Sequence, residues 1–172
     1  MESLKLMLAR RSIRRFLTKP VEEEKIKEIL EAVRWAPSAG NTQEWRLVVV
    51  QSPEIKNKLA EAASGQMFVA EAPVVIVLCV DLKEIEMAYG KRGVEVYSLL
   101  DCGMASQNLM LATTALDLGT CAVGGFDEEE VRKILHLPEH LRPLLIFPVG
   151  YPAEKPPQRP RKPLSNLLIR RY

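Results

Sequence analysis

The chain has 172 residues, of which 47% are hydrophobic and 27% are charged, and its net charge is +2. This length and apolar content suit one core, so we expect a single domain spanning residues 1–172. The near-neutral charge disfavours nucleic-acid binding, which needs a broad basic face. No apolar stretch is long enough to span a membrane, and the first residues lack the apolar run of a signal peptide. We therefore expect a cytoplasmic protein that does not bind membranes.

Hydrophobic periodicity predicts the elements of the first half of the chain. Apolar residues at helical spacing predict helices over residues 3–9, 21–35 and 53–63. Valine-rich runs predict strands at 45–50 and 74–80. The second run is apolar throughout, which is typical of a strand buried on both faces.

The second half begins with a charged segment, 82–95, which is interrupted by glycines and is predicted to be the most mobile stretch. The longest helical pattern follows at 97–118. A short strand is predicted at 120–123, a helix at 127–135 and a final strand at 144–149.

The helix predicted over 97–118 carries charge only at Asp101 and Asp117. Because it is apolar on most of its circumference, it requires burial on more than one side. A second copy of the chain could cover it across a two-fold interface. The alternative is an ordinary central core helix, and the pattern fits both.

Positive charge is concentrated at the two ends of the chain. Residues 1–20 carry six Lys/Arg against one acidic residue, and residues 155–172 carry six against none. Five prolines in the segment 152–163 favour extended chain there. Apolar residues such as Leu164 and Leu168 follow at once, so an arm that docks on another surface is favoured over an exposed ligand for an SH3-like domain.

Near the N-terminus, a short cluster combines three positive charges with one hydroxyl. Its residues are Arg10, Arg11, Ser12 and Arg14. A guanidinium presents a planar fork of donors that matches phosphate oxygens, and serine adds a neutral donor. This cluster is therefore a candidate phosphate-binding site. The alternative is a solvated basic end of a helix.

Other motifs that carry chemistry are incomplete. The glycines of residues 119–126 have the spacing of a P-loop, but the Lys-Ser/Thr pair is missing, and no GxGxxG string occurs. His136 and His140 have the spacing of two metal ligands on a helix, yet Pro138 lies between them. We expect no metal site and no nucleotide triphosphate chemistry.

No side chain is predicted to be catalytic. Neither histidine has the context of a nucleophile's partner, and no acidic residue stands in an apolar setting that would raise its pKa. Cys79, Cys102 and Cys121 are odd in number and surrounded by apolar residues, so we interpret them as core packing. If the protein is an enzyme, a cofactor carries the difficult step.

Five strings of the sequence resemble the FMN-dependent nitroreductase family in their order and spacing. They span nearly the whole chain and are RRSIRRF at 10–16, APSAGNTQEW at 36–45, APVVIV at 72–77, GGF at 124–126 and RKPL at 161–164. The resemblance implies a three-layer α/β/α fold of the α+β class with a mainly antiparallel central sheet. It also implies a homodimer that exchanges its C-terminal arms, residues 152–172, and binds FMN at the interface.

The resemblance also implies roles for individual residues. Those implied to hold the phosphate and ribityl chain of FMN are Arg10, Arg11, Ser12, Arg14, Arg161 and Lys162. Those implied to line the isoalloxazine from the other subunit are Pro37, Ser38, Ala39, Asn41 and Gln43. Gly124 and Gly125 would lie beneath the ring, where a side chain would intrude, and Gln66 would touch its edge.

By the same resemblance, NADH or NADPH would reduce the flavin, and a nitroaromatic, quinone or similar acceptor would reoxidise it in a ping-pong cycle. The alternative is a non-catalytic or regulatory flavin-binding protein. Two departures bear on the site. Glu44 stands where the family usually has proline, which brings a carboxylate near the site. The region after Asp81 is short, which favours an open, promiscuous pocket.

Overall fold

The computed structural model describes residues 2–172, and it contains helices on both sides of a four-stranded sheet. The helices are α1 (Glu2–Ala9), α2 (Glu23–Arg34), α3 (Pro53–Ala62), α4 (Phe68–Glu71), α5 (Leu82–Arg92), α6 (Ser98–Ala115) and α7 (Glu128–Ile134). The strands are β1 (Trp45–Val50), β2 (Val74–Asp81), β3 (Gly119–Thr120) and β4 (Leu141–Gly150).

The sheet has the order β1-β2-β4-β3, and each neighbouring pair is antiparallel. In β1 and β2, Trp45 faces Val80 and Val50 faces Val75. Strand β2 lies between two partners and is buried along nearly its whole length, as its apolar run predicts. The predicted antiparallel sheet is confirmed.

Side chains of β2 alternate between two cores, because successive residues of a strand point to opposite faces. The residues at 74, 76, 78 and 80 pack with α2 and α6, through side chains such as Ile29 and Leu109. Those at 75, 77 and 79 pack with α3, α4 and α7, through side chains such as Leu59 and Val131. The three-layer arrangement is therefore confirmed, whereas the exchanged arm stays a prediction.

The segment 82–95, predicted to be the most mobile stretch, is helical, because α5 occupies Leu82–Arg92 and a π-helical turn continues to Tyr97. Its mobility stays a prediction. The Asp81 carboxylate accepts the Glu84 backbone N–H at 3.1 Å and so caps the first turn of α5. Gly90 absorbs a kink with φ +56°. Gly90 therefore joins two helical pieces.

The predicted strand at 120–123 is shorter than expected. Strand β3 ends at Thr120, and Val123 makes only an isolated bridge to Ile146 of β4.

The two basic ends of the chain meet beside the sheet. The Leu17 and Ala153 backbone N–H groups donate to the carbonyls of Tyr151 and Arg15, each at 2.8 Å. The Ile13 N–H donates to the Thr120 carbonyl of β3 at 2.9 Å. These bonds fix the arginine segment against the start of the C-terminal arm.

Among residues 2–172, no helix combines the length and the apolar character that crossing a membrane requires.

Candidate functional site

A cavity of about 330 Å³ lies between the N-terminal arginine segment and the start of the C-terminal arm. Its lining residues are Arg10, Arg11, Ser12, Arg14, Glu154, Pro156, Pro157, Gln158, Arg159 and Arg161. Five arginines and one glutamate thus line the cavity, a balance of charge that suits an anion. The fold thus brings the predicted phosphate-binding residues of the N-terminal segment next to Arg161 of the C-terminal arm. Lys162, which was also predicted, does not line the cavity.

The cavity's arginines differ in how the chain holds them. Arg11 Nη1 donates to the carbonyls of Leu8, Ala9 and Arg10 at 2.7, 3.1 and 2.8 Å, so this side chain caps the last turn of α1. Within residues 2–172, the side chain of Arg14 makes no hydrogen bond to protein and lies 5.9 Å from the centre of the Phe68 ring. Its donors remain free for an anion.

Arg10 resembles Arg14 in this respect, since its guanidinium also makes no hydrogen bond within the described chain. Arg161 Nη1 contacts only the carbonyls of Arg159 and Pro160, at 3.1 and 3.2 Å. Arg159 was not predicted as a site residue. Its position two residues before Arg161 in extended chain is the signal that could have found it.

Glu154 is the second site residue that sequence reasoning missed. Its Oε1 accepts the backbone N–H groups of Arg14 and Arg15 at 2.6 and 3.1 Å. This carboxylate therefore ties the arm to the arginine segment and offsets one of the positive charges in the cavity.

The loop 37–43 forms a separate part of the predicted site and does not line the arginine cavity of its own chain. It contains a 3₁₀ turn at Ala39–Asn41, and φ is positive at Gly40, Asn41 and Gln43. A Cβ on Gly40 would overlap the Tyr89 hydroxyl of α5, so a side chain here would have to displace Tyr89 and also adopt a left-handed conformation, which favours glycine.

Side-chain oxygens hold the loop in this conformation. Ser38 Oγ accepts the Gln43 N–H at 3.0 Å, and Gln43 Nε2 donates to the Asn41 carbonyl at 3.3 Å. Asp101 of α6 accepts the Ala39 N–H at 2.8 Å. Pro37 and Asn41 are exposed. The loop therefore presents backbone and amide groups on a rigid support.

Gly124 and Gly125 are exposed, and neither has a positive φ. A Cβ on Gly125 would meet nothing within 4 Å, and one on Gly124 would touch only Leu145 at 3.4 Å. Packing within the chain therefore leaves room for a side chain at both positions. A flat ligand that approached this backbone closely would exclude such a side chain and so require glycine. Gln66 Nε2 donates to the Gly125 carbonyl at 3.3 Å, which places this amide beside the glycine pair.

The prediction that no acidic residue has a raised pKa is wrong for Glu44. This side chain is 0% exposed, and its burial, with Asp101 as a neighbour, raises the pKa of its carboxyl. The neighbours that bury Glu44 are distant in sequence, so its local context could not reveal the effect.

All three cysteines are buried, as predicted. Burial raises the pKa of Cys79 and of Cys102 to about 12, so neither forms a thiolate at neutral pH.

We expect a variant with all three cysteines replaced by alanine or serine to keep its turnover for each bound FMN, because buried thiols serve packing. Anaerobic flavin reduction and reoxidation measure this. A loss of about 100-fold, near 2.7 kcal/mol in the barrier, in a folded FMN-loaded variant would contradict it.

Comparison with known proteins places the chain in a family. The family model described as "Nitroreductase family" matches residues 7–71 and 65–151. The chain is 39% identical to an NADH dehydrogenase of Thermus thermophilus, covering 94% of this chain and 92% of that protein. It is 32% identical to a Bacillus subtilis FMN reductase (NAD(P)H), covering 94% and 70% respectively.

Solved structures agree with this result. The Vibrio harveyi NADPH:FMN oxidoreductase complexed with NAD+ superposes with a TM-score of 0.89 at 28% identity, covering 99% of this chain and 77% of that one. A nitroreductase family protein of Streptococcus pneumoniae gives 0.87 at 29% identity, covering 98% and 99%. The chain belongs to the nitroreductase family.

Proposed function

We propose that this protein is an NAD(P)H-dependent FMN oxidoreductase. It takes hydride from NADH or NADPH and passes electrons to a nitroaromatic, quinone or similar acceptor by a ping-pong mechanism. The observation that carries the proposal is the arginine-lined cavity between the two ends of the chain. Relatives named FMN reductase and NADPH-flavin oxidoreductase support it.

The residues present fit FMN, and FMN supplies the hydride chemistry when bound. Arg10, Arg14 and Arg161 would bind its phosphate with charge-assisted hydrogen bonds, and Ser12 would add a neutral donor. Arg11 would contribute charge while its Nη1 caps α1. Lys162 would approach from farther along the arm.

Two exposed surfaces would hold the ring. The glycine pair at 124–125 allows backbone to approach a flat ligand closely, with Gln66 beside it. Residues Pro37, Ser38, Ala39, Asn41 and Gln43 would come from the partner subunit and offer amide and backbone donors. Donors held in place before reduction stabilise negative charge as it develops.

We also propose that the active form is a homodimer. Apolar side chains are exposed on three surfaces of the single chain: on α1 (Leu4, Met7, Leu8), on α6 (Leu99, Leu100, Met104) and on the arm (Leu164, Leu167, Leu168, Ile169). Ile169 is 90% exposed. Exposed apolar area of this extent is typical of an interface. A second copy of the chain would cover it, with the arms exchanged and FMN at the interface.

The test of function is an anaerobic titration of the FMN-loaded protein. NADH or NADPH should bleach the visible flavin absorbance, and a quinone or nitroaromatic should then restore it. Failure with both nicotinamides at full FMN occupancy would favour a non-catalytic or regulatory flavin-binding protein instead.

A further inference from the structure

Two carboxyl groups lie buried beneath the loop 37–43. Glu44 is 0% exposed and Asp101 is 3% exposed. Thr42 Oγ1 lies 2.7 Å from Glu44 Oε2, and Asp101 Oδ2 accepts the Ala39 N–H at 2.8 Å. Each carboxyl therefore holds one part of the loop.

The second oxygen of Glu44 is the unusual atom. Among residues 2–172, Glu44 Oε1 is fully buried and has no hydrogen-bond partner. An ionised carboxylate only accepts hydrogen bonds, so Oε1 would then stay unsatisfied. A protonated Glu44 can donate from this oxygen, and Asp101 is the acidic neighbour that raises the pKa of the Glu44 carboxyl.

Among the residues that the structure describes, no basic side chain near the two carboxyl groups takes the place of the proton. Within the described chain, no lysine or arginine forms a salt bridge with Glu44 or Asp101. Arg46 of β1 directs Nη1 to the carbonyls of Gln43 and Trp45. Its Nη2 pairs with Asp81 of β2 and Glu84 of α5.

The remaining titratable groups are the thiol of Cys102, which neighbours Glu44 and Asp101, and the thiol of Cys79, which neighbours Cys102. Burial raises the pKa of Cys102, on α6, and of Cys79, on β2, to about 12, and Glu44 adds to the shift at Cys102. Both thiols are therefore neutral at ordinary pH, and because a thiol ionises only to an anion, neither can offset the charge of a carboxylate.

We propose that Glu44 and Asp101 share one proton, with Glu44 Oε1 donating to the Asp101 carboxylate, and that this pair positions the loop 37–43. Both groups are positioning residues. The link to flavin rests on the proposed function, because that function assigns this loop to the isoalloxazine. The pair itself does not depend on it.

The pair has a pH dependence of defined sign. Burial, followed by the effect of Asp101, raises the pKa of Glu44 above 4.5, against the opposing hydrogen bond from Thr42. The folded state thus binds a proton that the unfolded state has lost. The free energy of unfolding therefore falls as the pH rises from about 4.5 through the folded-state pKa.

Glu44→Gln is the central variant, because its amide can donate to Asp101 and accept from Thr42 without a titrating proton. We expect the wild-type unfolding constant to rise relative to this variant by up to about tenfold per pH unit over that range. Glu86→Gln, an exposed position on α5, is the matched control and should follow the wild-type profile. Chemical denaturation of the purified protein across pH measures all three.

Asp101→Asn supplies an independent variant. Its amide would donate to Glu44 Oε1, so an ionised Glu44 would be satisfied and the pH dependence should become weaker than in the wild type, although the burial of Glu44 remains. Because the FMN phosphate itself titrates in this range, the two proteins are compared directly: the FMN affinity of the wild type should fall with rising pH relative to that of Glu44→Gln.

Infrared spectroscopy gives a direct readout of the proton. A carbonyl stretching band of a buried carboxylic acid should occur in the wild type and be missing in Glu44→Gln. Parallel pH profiles for wild type and Glu44→Gln, or no such band in the wild type, would overturn the proposal. If the protein bound no FMN, the unfolding and infrared results would still decide the pair, so the two failures are distinguishable.

Discussion

Replacing Arg10 or Arg14 with alanine is expected to weaken FMN binding by about 1.5–3 kcal/mol each, the scale of hydrogen bonds to charged groups. This corresponds to roughly 10- to 150-fold in Kd. Both side chains line the arginine cavity, and neither donates a hydrogen bond to protein in the described chain. Fluorescence titration of the FMN-free protein measures the change.

Arg15→Ala is the matched control, because Arg15 belongs to the same basic string but does not line the cavity. Its backbone N–H still donates to Glu154 in the variant. Riboflavin lacks the phosphate, so its affinity should change little with any of the three substitutions. Equal losses for riboflavin and FMN would mean that the arginines act on folding rather than on phosphate.

Removing residues 155–172 is expected to abolish stable dimers and to weaken FMN binding strongly. The deletion removes two of the cavity's guanidinium groups, those of Arg159 and Arg161, together with the exposed apolar residues of the arm. The loss of two charge-assisted contacts should cost about 3 kcal/mol or more. Sedimentation at micromolar concentration and FMN titration measure the two effects separately.

A double variant, Arg159→Ala with Arg161→Ala, separates these effects because it keeps Leu164, Leu168 and Ile169. It should remain dimeric while FMN affinity falls. Wild-type protein that sediments as a monomer, or a truncated chain that keeps both dimer and flavin, would show that the arm is only a solvated tail.

Helices and strands that form because of their local sequence pattern were predicted well. The strand at 74–80 was found because its apolar residues need burial on both faces, and α2 because Ile26, Ile29 and Val33 share one helical face. The arginine cluster at 10–14 was selected as a candidate phosphate site because its residue types suit phosphate oxygens, and its role stays a prediction.

Features that depend on residues distant in sequence could not be predicted in this way. The burial of Glu44 is created by packing near α6, and Glu154 enters the cavity only because residues 151–153 pair with the arginine segment. The helix over residues 82–92 was not predicted, because Asp81 acts as a helix cap only once β2 ends there. Gly90 then kinks the helical segment without ending it.

A comparison of FMN with riboflavin binding to the wild-type protein tests most directly whether the arginine cavity is a phosphate site. The flavin-free protein is titrated with each ligand at the same ionic strength, and the chromophore released on denaturation is identified. We expect FMN to bind at one molecule per chain and at least about 100-fold more tightly than riboflavin, because several guanidinium groups contact the phosphate. Equal affinity for the two ligands, or a protein that cannot be reconstituted with FMN, would contradict the assignment.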